Sequence, residues 1–333
     1  MQILEAGSAK VDITPKKPVP LAGFAVRENK NFEGVRSPIY LRALFLRQRG
    51  KDGSVRNALI VSADLIWWGS DLMPDILRTL KERWGLEPGS VILNSTHSHC
   101  GPQTSFQFHR LLGKADREYV NELIQKLYEA VAMAESNAEP VTVERGRGES
   151  RIGVQRRRYA DGRVYGGSFP DGLMDPEVIV VRFRTANGSP KAVIVHYACH
   201  PVTTTDNYVS SEFTGAAMEM LEQELGDGAV CLFMQGCCGD INIYKESAPP
   251  ELAGNDEAII RYFGEKLSQC ASAVLSGAMQ TLAPAVLKGR ADTLTLELKP
   301  LETKEELERI AAEGKSPYDE WAVEMLGKIG ERP

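Results

Sequence analysis

The chain is predicted to fold as an α/β protein, with a mixed β-sheet core flanked by helices and an active site at the C-terminal ends of strands. Three observations carry that expectation. Short apolar runs alternate along the chain with stretches of helical period. The runs 41–48 and 58–65 are joined only by the turn Gly50–Gly53, a hairpin-like pair that makes the sheet mixed rather than purely parallel. Four of the five histidines lie at the ends of two strand-like runs that are far apart in the chain.

The elements follow in order. Residues 2–13 read as a strand that stops at Thr14-Pro15, and 41–48 and 58–65 as two more. Ser70-Asp71 can cap a helix reaching about Trp84, because Leu72, Ile76, Leu77 and Leu80 recur at helical spacing. Strand 90–95 follows. Residues 116–134 are a helix whose apolar stripe is Val120, Leu123, Ile124, Leu127 and Val131. Strands are expected at 141–149, 178–184 and 192–197, with the turn Asp161-Gly162 between the first two. Helix 211–225, strand 229–234 and helix 256–276 come next. The stretch 285–298 alternates like a strand, and 303–313 and 317–329 read as terminal helices. The expected division is an α/β catalytic domain over 1–298 and a helical segment over 299–333.

Composition narrows the function. With 333 residues, 43% hydrophobic and 25% charged, the chain can bury a sizeable core. A net charge of -6 argues against nucleic-acid binding, which needs a basic face. No apolar run approaches the ~20 residues of a membrane-spanning helix. The first residues lack a basic n-region and an apolar h-region, so the expected location is cytoplasmic, or secreted or periplasmic if a leader was removed. The six cysteines, Cys100, Cys199, Cys231, Cys237, Cys238 and Cys270, have no C-x-x-C spacing and are expected to be free thiols.

The chemistry concentrates in three segments. Asn94–Pro102 carries His97 and His99 after the run Val91-Ile92-Leu93. Strand alternation would turn both imidazoles to one side, and the Gly101-Pro102 pair ends the run. His196 and His200 follow Ala192–Val195, and a strand running that far would put both on one face. Imidazole is both the commonest metal ligand and the commonest general base. The third segment, Gln235–Asn242, follows the buried run Ala229–Met234, and its glycines let the backbone turn tightly around Cys237-Cys238. Asp240 there can orient a histidine or face a metal. Cysteines beside all three segments leave room for a cysteine hydrolase using Cys237 or Cys238.

Eight segments in this order resemble the neutral/alkaline non-lysosomal ceramidases and their bacterial relatives. They are Ala6–Pro15, Leu21–Phe24, Val61–Leu65, His97–Pro102 (similar to that family's H-T-H-S-G-P), Gln155-Arg156-Arg157, Cys199-His200-Pro201, Ser210–Gly215 and Gln235–Asn242 (similar to its Q-G-x-x-G-D). The resemblance implies a zinc amidohydrolase that cuts an N-acyl amide, with Zn2+ as cofactor and a small amide or amphiphile as substrate. It implies zinc binding by His97 and His200, proton transfer assisted by His99, and oxyanion stabilisation or substrate binding by Arg156. Zinc with an open position activates water and polarises a carbonyl. A nearby imidazole moves the proton, and a guanidinium holds developing charge.

The resemblance also implies a glutamate and a tyrosine ligand well downstream, for which no counterpart precedes Pro333. Either the chain is a fragment, or further ligands come from Asp64, Glu212 or Asp240, with His196 another candidate near the metal. An inactive domain that kept the fold is the alternative reading. The family serine aligns with Asn242, so serine chemistry is unsupported. The chain is shorter than full ceramidases and shows no sign of their immunoglobulin-like domain, so ceramide is one of several substrates the resemblance allows.

Overall fold

The computed structural model describes residues 3–226, 228–297, 300, 302–315 and 317–329. Fourteen strands and six helices are described. The first half contains β1 (Ile3–Asp12), β2 (Gly34–Val35), β3 (Tyr40–Arg49), β4 (Val55–Ala63), α1 (Met73–Trp84), β5 (Val91–Ser95), α2 (Arg117–Ser136), β6 (Glu139–Glu149) and the hairpin β7 (Gly153–Ala160) with β8 (Arg163–Phe169). After it come β9 (Glu177–Thr185), β10 (Pro190–Tyr197), β11 (Tyr208–Val209), α3 (Glu212–Leu225), β12 (Val230–Gln235), β13 (Ile241–Ile243), α4 (Asp256–Ser276), β14 (Gln280–Thr281), α5 (Lys304–Ala312) and α6 (Tyr318–Lys328).

The main sheet runs β12-β10-β9-β6-β1-β3-β4-β5, with β14 on β6. It is mixed, as expected. Only β4–β5 and β10–β12 are parallel within it, and each pair is bridged by a helix, α1 and α3 respectively. These are two βαβ crossovers in an otherwise antiparallel sheet.

The sheet is not open. Its centre is joined by only two residue pairs, Glu5–Pro140 and Ala6–Glu139 of β1 and β6, and its two halves face each other. Side-chain alternation shows this directly. Leu41, Ala43 and Phe45 of β3 pack with α1 and α2, whereas Leu44 and Leu46 enter a central core. Val193, Val195 and Tyr197 of β10 pack with α3 and α4, whereas Ala192 and Ile194 enter the same central core from the other side. The layers are therefore helix, sheet, sheet, helix. Both Ser62 Oγ and Asn94 Nδ2 donate to the Phe233 carbonyl, so the β4–β5 edge is pinned to the β12 edge. The C-terminal ends of the two parallel pairs meet there.

A buried charge network crosses the same boundary. Arg42 on β3 reaches Glu222 of α3 at 2.9 Å and Asp64 at 3.3 Å, and Lys10 of β1 holds the second Glu222 oxygen at 2.7 Å.

Two local expectations are corrected. Ser70-Asp71 does not cap α1, because the Asp71 carboxylate accepts instead from Ser105 Oγ and the Phe106 amide. The stretch 285–298 forms no strand among its described residues; Leu298 itself lies outside them. Its alternating Leu294 and Leu296 are about four-fifths exposed, so the pattern found no sheet face to cover. The chain divides into two compact units, 1–291 and 292–333. The second contains α5, which opens with a Thr303–Glu306 capping box, packed on α6. No helix among the described residues is long and apolar enough to cross a membrane.

Candidate functional site

Three histidines converge where the parallel pairs end. The rings of His97 and His200 lie 4.8 Å apart between centroids, those of His97 and His99 5.1 Å, and those of His99 and His200 5.8 Å. Strand alternation is not what gathers His97 and His99. β5 stops at Ser95, and His97 takes a left-handed φ of 69° while its amide bonds the Leu65 carbonyl at 2.9 Å. A non-glycine residue in that region is held there by its surroundings. Nor does β10 run on to His200. It ends at Tyr197, and His200 is placed by its amide bond to Ile241 and its bridge to Asn242. His196 stays on the strand, where its Nδ1 is buried without a partner.

The ring nitrogens are sorted by backbone carbonyls. His97 Nδ1 lies 3.0 Å from the Ile66 oxygen. His200 Nδ1 lies 2.6 Å from the Cys238 oxygen and 3.2 Å from that of Ile241. A carbonyl can only accept, so Nδ1 carries the proton in both rings and Nε2 keeps the lone pair. This is how metal-binding histidines are oriented. Both nitrogens of His99 are buried without partners. Its ring packs on Phe24 at 4.7 Å, and Arg27 donates to its backbone carbonyl. Gly23 has φ +96°, and a Cβ there would sit 2.5 Å from His99 Nδ1.

Burial keeps the cluster uncharged. It lowers His200 to about 4, helped by the Arg156 and His97 charges. It lowers His99 to about 3, helped by His97 and His200. It also lowers His97, against the pull of the Ile66 carbonyl. The unfolded chain takes up these protons near the ordinary value of 6.5, whereas the folded chain resists until about 4 for His200. Stability of the metal-free protein is therefore full above pH 6.5 and lost as pH falls through about 4. Urea titrations should show stability falling as the pH is lowered from 6.5 towards about 4.

The Cys238 thiol joins the histidines. Its Sγ and one ring nitrogen each of His97 and His200 all lie within 4.8 Å of one another. Burial pushes this thiol up to about 11. Cys237 is exposed, and all six cysteines are free.

Arg156 lies on β7, whose partner β13 follows the Cys237-Cys238 turn. Its amide bonds the Asp240 oxygen, and its Nε and Nη2 donate to the Gly239 oxygen at 3.1 and 2.8 Å. It lines a cavity of about 520 Å³ with Val202, Asn242, Ile243 and Lys245. That volume suits a small ligand. Trp67, Trp68, Phe106 and Phe108 do not line it; Trp68 is in the core, and Trp67 stacks on Phe108.

The carboxylates considered as ligands have other partners. Asp64 is buried against Arg42 and the Tyr40 amide. Glu212 is buried and accepts from the Thr203 and Thr204 amides and the Cys100 thiol. Asp240 is exposed and takes Gln155 Nε2 at 2.9 Å. Among the described residues none of the three joins the His97–His200–Cys238 group.

Gln235 is the positioning residue whose part the motif alone did not show. Its Nε2 donates to the carbonyls of Thr96 and Cys199, and its Oε1 accepts from the Cys199 amide. It thus ties the loop before His97 to the loop before His200. Gln235→Ala is expected to lower stability by on the order of 2 kcal/mol, because it leaves two carbonyls and an amide without their partner. Urea melts read the effect.

Two folded-together βαβ units, with imidazoles and a thiol converging at their strand ends, define an α/β protein with a candidate metal centre. Residues 4–254 match the family described as neutral/alkaline non-lysosomal ceramidase, N-terminal, and the chain belongs to that family. Its fold is similar to that of the neutral ceramidase from Pseudomonas aeruginosa, with a TM-score of 0.70 and 22% identity over 83% of this chain and 45% of that one. It is similar also to a structure described as ceramidase complexed with C2, with a TM-score of 0.69 and 22% identity over 83% of this chain and 44% of that one. The chain spans less than half the length of either.

Proposed function

We propose that this chain is a zinc-dependent hydrolase of N-acyl amides, acting on a small or amphiphilic substrate of the ceramide kind. The observation that carries the reading is the pair His97 and His200, each with Nδ1 bound to a carbonyl and Nε2 left to donate, within a ceramidase-family fold. The donor set fits zinc, and His97 and His200 would hold it. Bound there, zinc would polarise the amide carbonyl and make water a nucleophile near neutral pH.

The rest is done by the chain. The His99 ring has no competing hydrogen-bond partner and lies beside His97 and His200, which leaves it to relay a proton from the attacking water to the leaving amine. Arg156, oriented by two bonds to Gly239, holds negative charge developing on the carbonyl oxygen. The neighbouring cavity takes part of the substrate. Cys238 is disfavoured as a nucleophile, since a thiol pushed up to about 11 is protonated at neutral pH.

Arg156→Ala should reduce kcat ~100-fold with zinc content unchanged, in the range found for losing an oxyanion donor. Turnover of an N-acyl amide panel by zinc-loaded protein tests the function itself. Absence of turnover across the panel with zinc bound would favour a non-catalytic domain.

A further inference from the structure

We propose that Cys238 is itself a metal ligand, so that this chain's centre is His97–His200–Cys238 with a fourth position open. The inference rests on the metal-dependent reading of the same site and specifies its donor chemistry.

The geometry is local and specific. Of two adjacent cysteines, Cys237 is exposed and Cys238 buried beside the imidazoles. The turn that carries Cys238 is held by its amide bond to Gly236 at 2.8 Å and by the Ile241 amide on its carbonyl at 3.0 Å. That same carbonyl fixes the His200 tautomer. One residue therefore orients a histidine through its backbone and presents a sulfur through its side chain. No described carboxylate joins the group.

Zinc bonds nitrogen at ~2.0–2.1 Å and sulfur at ~2.3 Å, which spans less than a 4.8 Å donor separation. The donors must therefore draw closer together on loading. As the sulfur–metal bond forms, the thiol proton passes to solvent and no electron changes hands. A thiolate with two imidazoles selects zinc-like ions over magnesium, calcium or manganese. It also explains how a site can be completed without the carboxylates of Asp64, Glu212 or Asp240.

The test is cobalt substitution of the full chain, with Co2+ alone as probe. Wild type and Cys237→Ser should show the near-ultraviolet thiolate-to-cobalt charge-transfer band as well as ligand-field bands, and Cys238→Ser should lack the former. Zinc affinity of Cys238→Ser should fall by more than the ~100-fold upper range for losing an outer partner. Ligand-field bands without charge transfer in wild type would overturn the sulfur ligand while leaving a histidine-bound metal in place. Failure of wild type to bind either Co2+ or Zn2+ would overturn this inference together with the metal-dependent function. The wild-type spectrum decides the matter even if the serine variant folds poorly.

Discussion

His200→Ala should purify without zinc and lose amide hydrolysis by on the order of 10³-fold or more. The magnitude follows from removing a Lewis acid that supplies several kcal/mol of transition-state stabilisation, at 1.36 kcal/mol per decade of rate. His200 contributes more than a lone pair. Its Nδ1 and amide join the loop after β10 to the turn after β12. His97→Ala should match it in zinc content and rate. The double variant should be no slower than either single, because both residues act through one ion and such effects do not add. Elemental analysis and single-turnover rates check this. Wild-type turnover in metal-free His200→Ala would remove the metal from the chemistry.

Arg42→Met should lower stability by ~3–5 kcal/mol, the cost of leaving a buried charge without its partner. Arg42 is 2% exposed and serves two carboxylates from different elements. Without it Asp64 keeps the Tyr40 amide and Glu222 keeps Lys10 and the Cys231 amide, which is not enough to hold two buried anions. The Asp64 turn runs directly into Leu65 and Ile66, whose carbonyls fix His97. Zinc affinity should fall with stability for that reason. Chemical denaturation measures the first effect. A loss below ~1 kcal/mol would mean that the network behaves like a surface ion pair.

Much of this was legible in the chain. The period-2 and 3.6-period runs located the strands around 3–12, 40–49 and 230–235 and the helices 117–136 and 256–276, because those segments bury one or both faces along their whole length. His97, His99 and His200 stood out by residue type and position, and the structure does bring them together.

The reasons for their convergence were not legible. Alternation along a strand suggested it, but a left-handed His97 and a bridge beyond β10 produce it. Both are tertiary constraints that a local pattern does not encode. The same holds for His196, which shares a segment with His200 yet stays on the strand. Folding of the sheet onto itself depends on the two-pair β1–β6 joint and on bonds such as Asn94 to Phe233, across residues remote in the chain. The expected strand at 285–298 failed because alternation marks a half-buried strand only where a partner exists. Cys238 was visible as a reactive residue beside the site, but its distinction from Cys237 needed the turn that buries one and exposes the other.

Zinc-dependent release of amine from a short-chain N-acyl sphingosine, beside soluble N-acyl amides, is the decisive assay. Protein stripped by a chelator should be inactive, recover with about one equivalent of zinc as expected for a single catalytic site, and stay inactive as His200→Ala. Undiminished turnover by the stripped protein, or none by the zinc-loaded protein on any amide, would contradict a zinc-dependent N-acyl amide hydrolase.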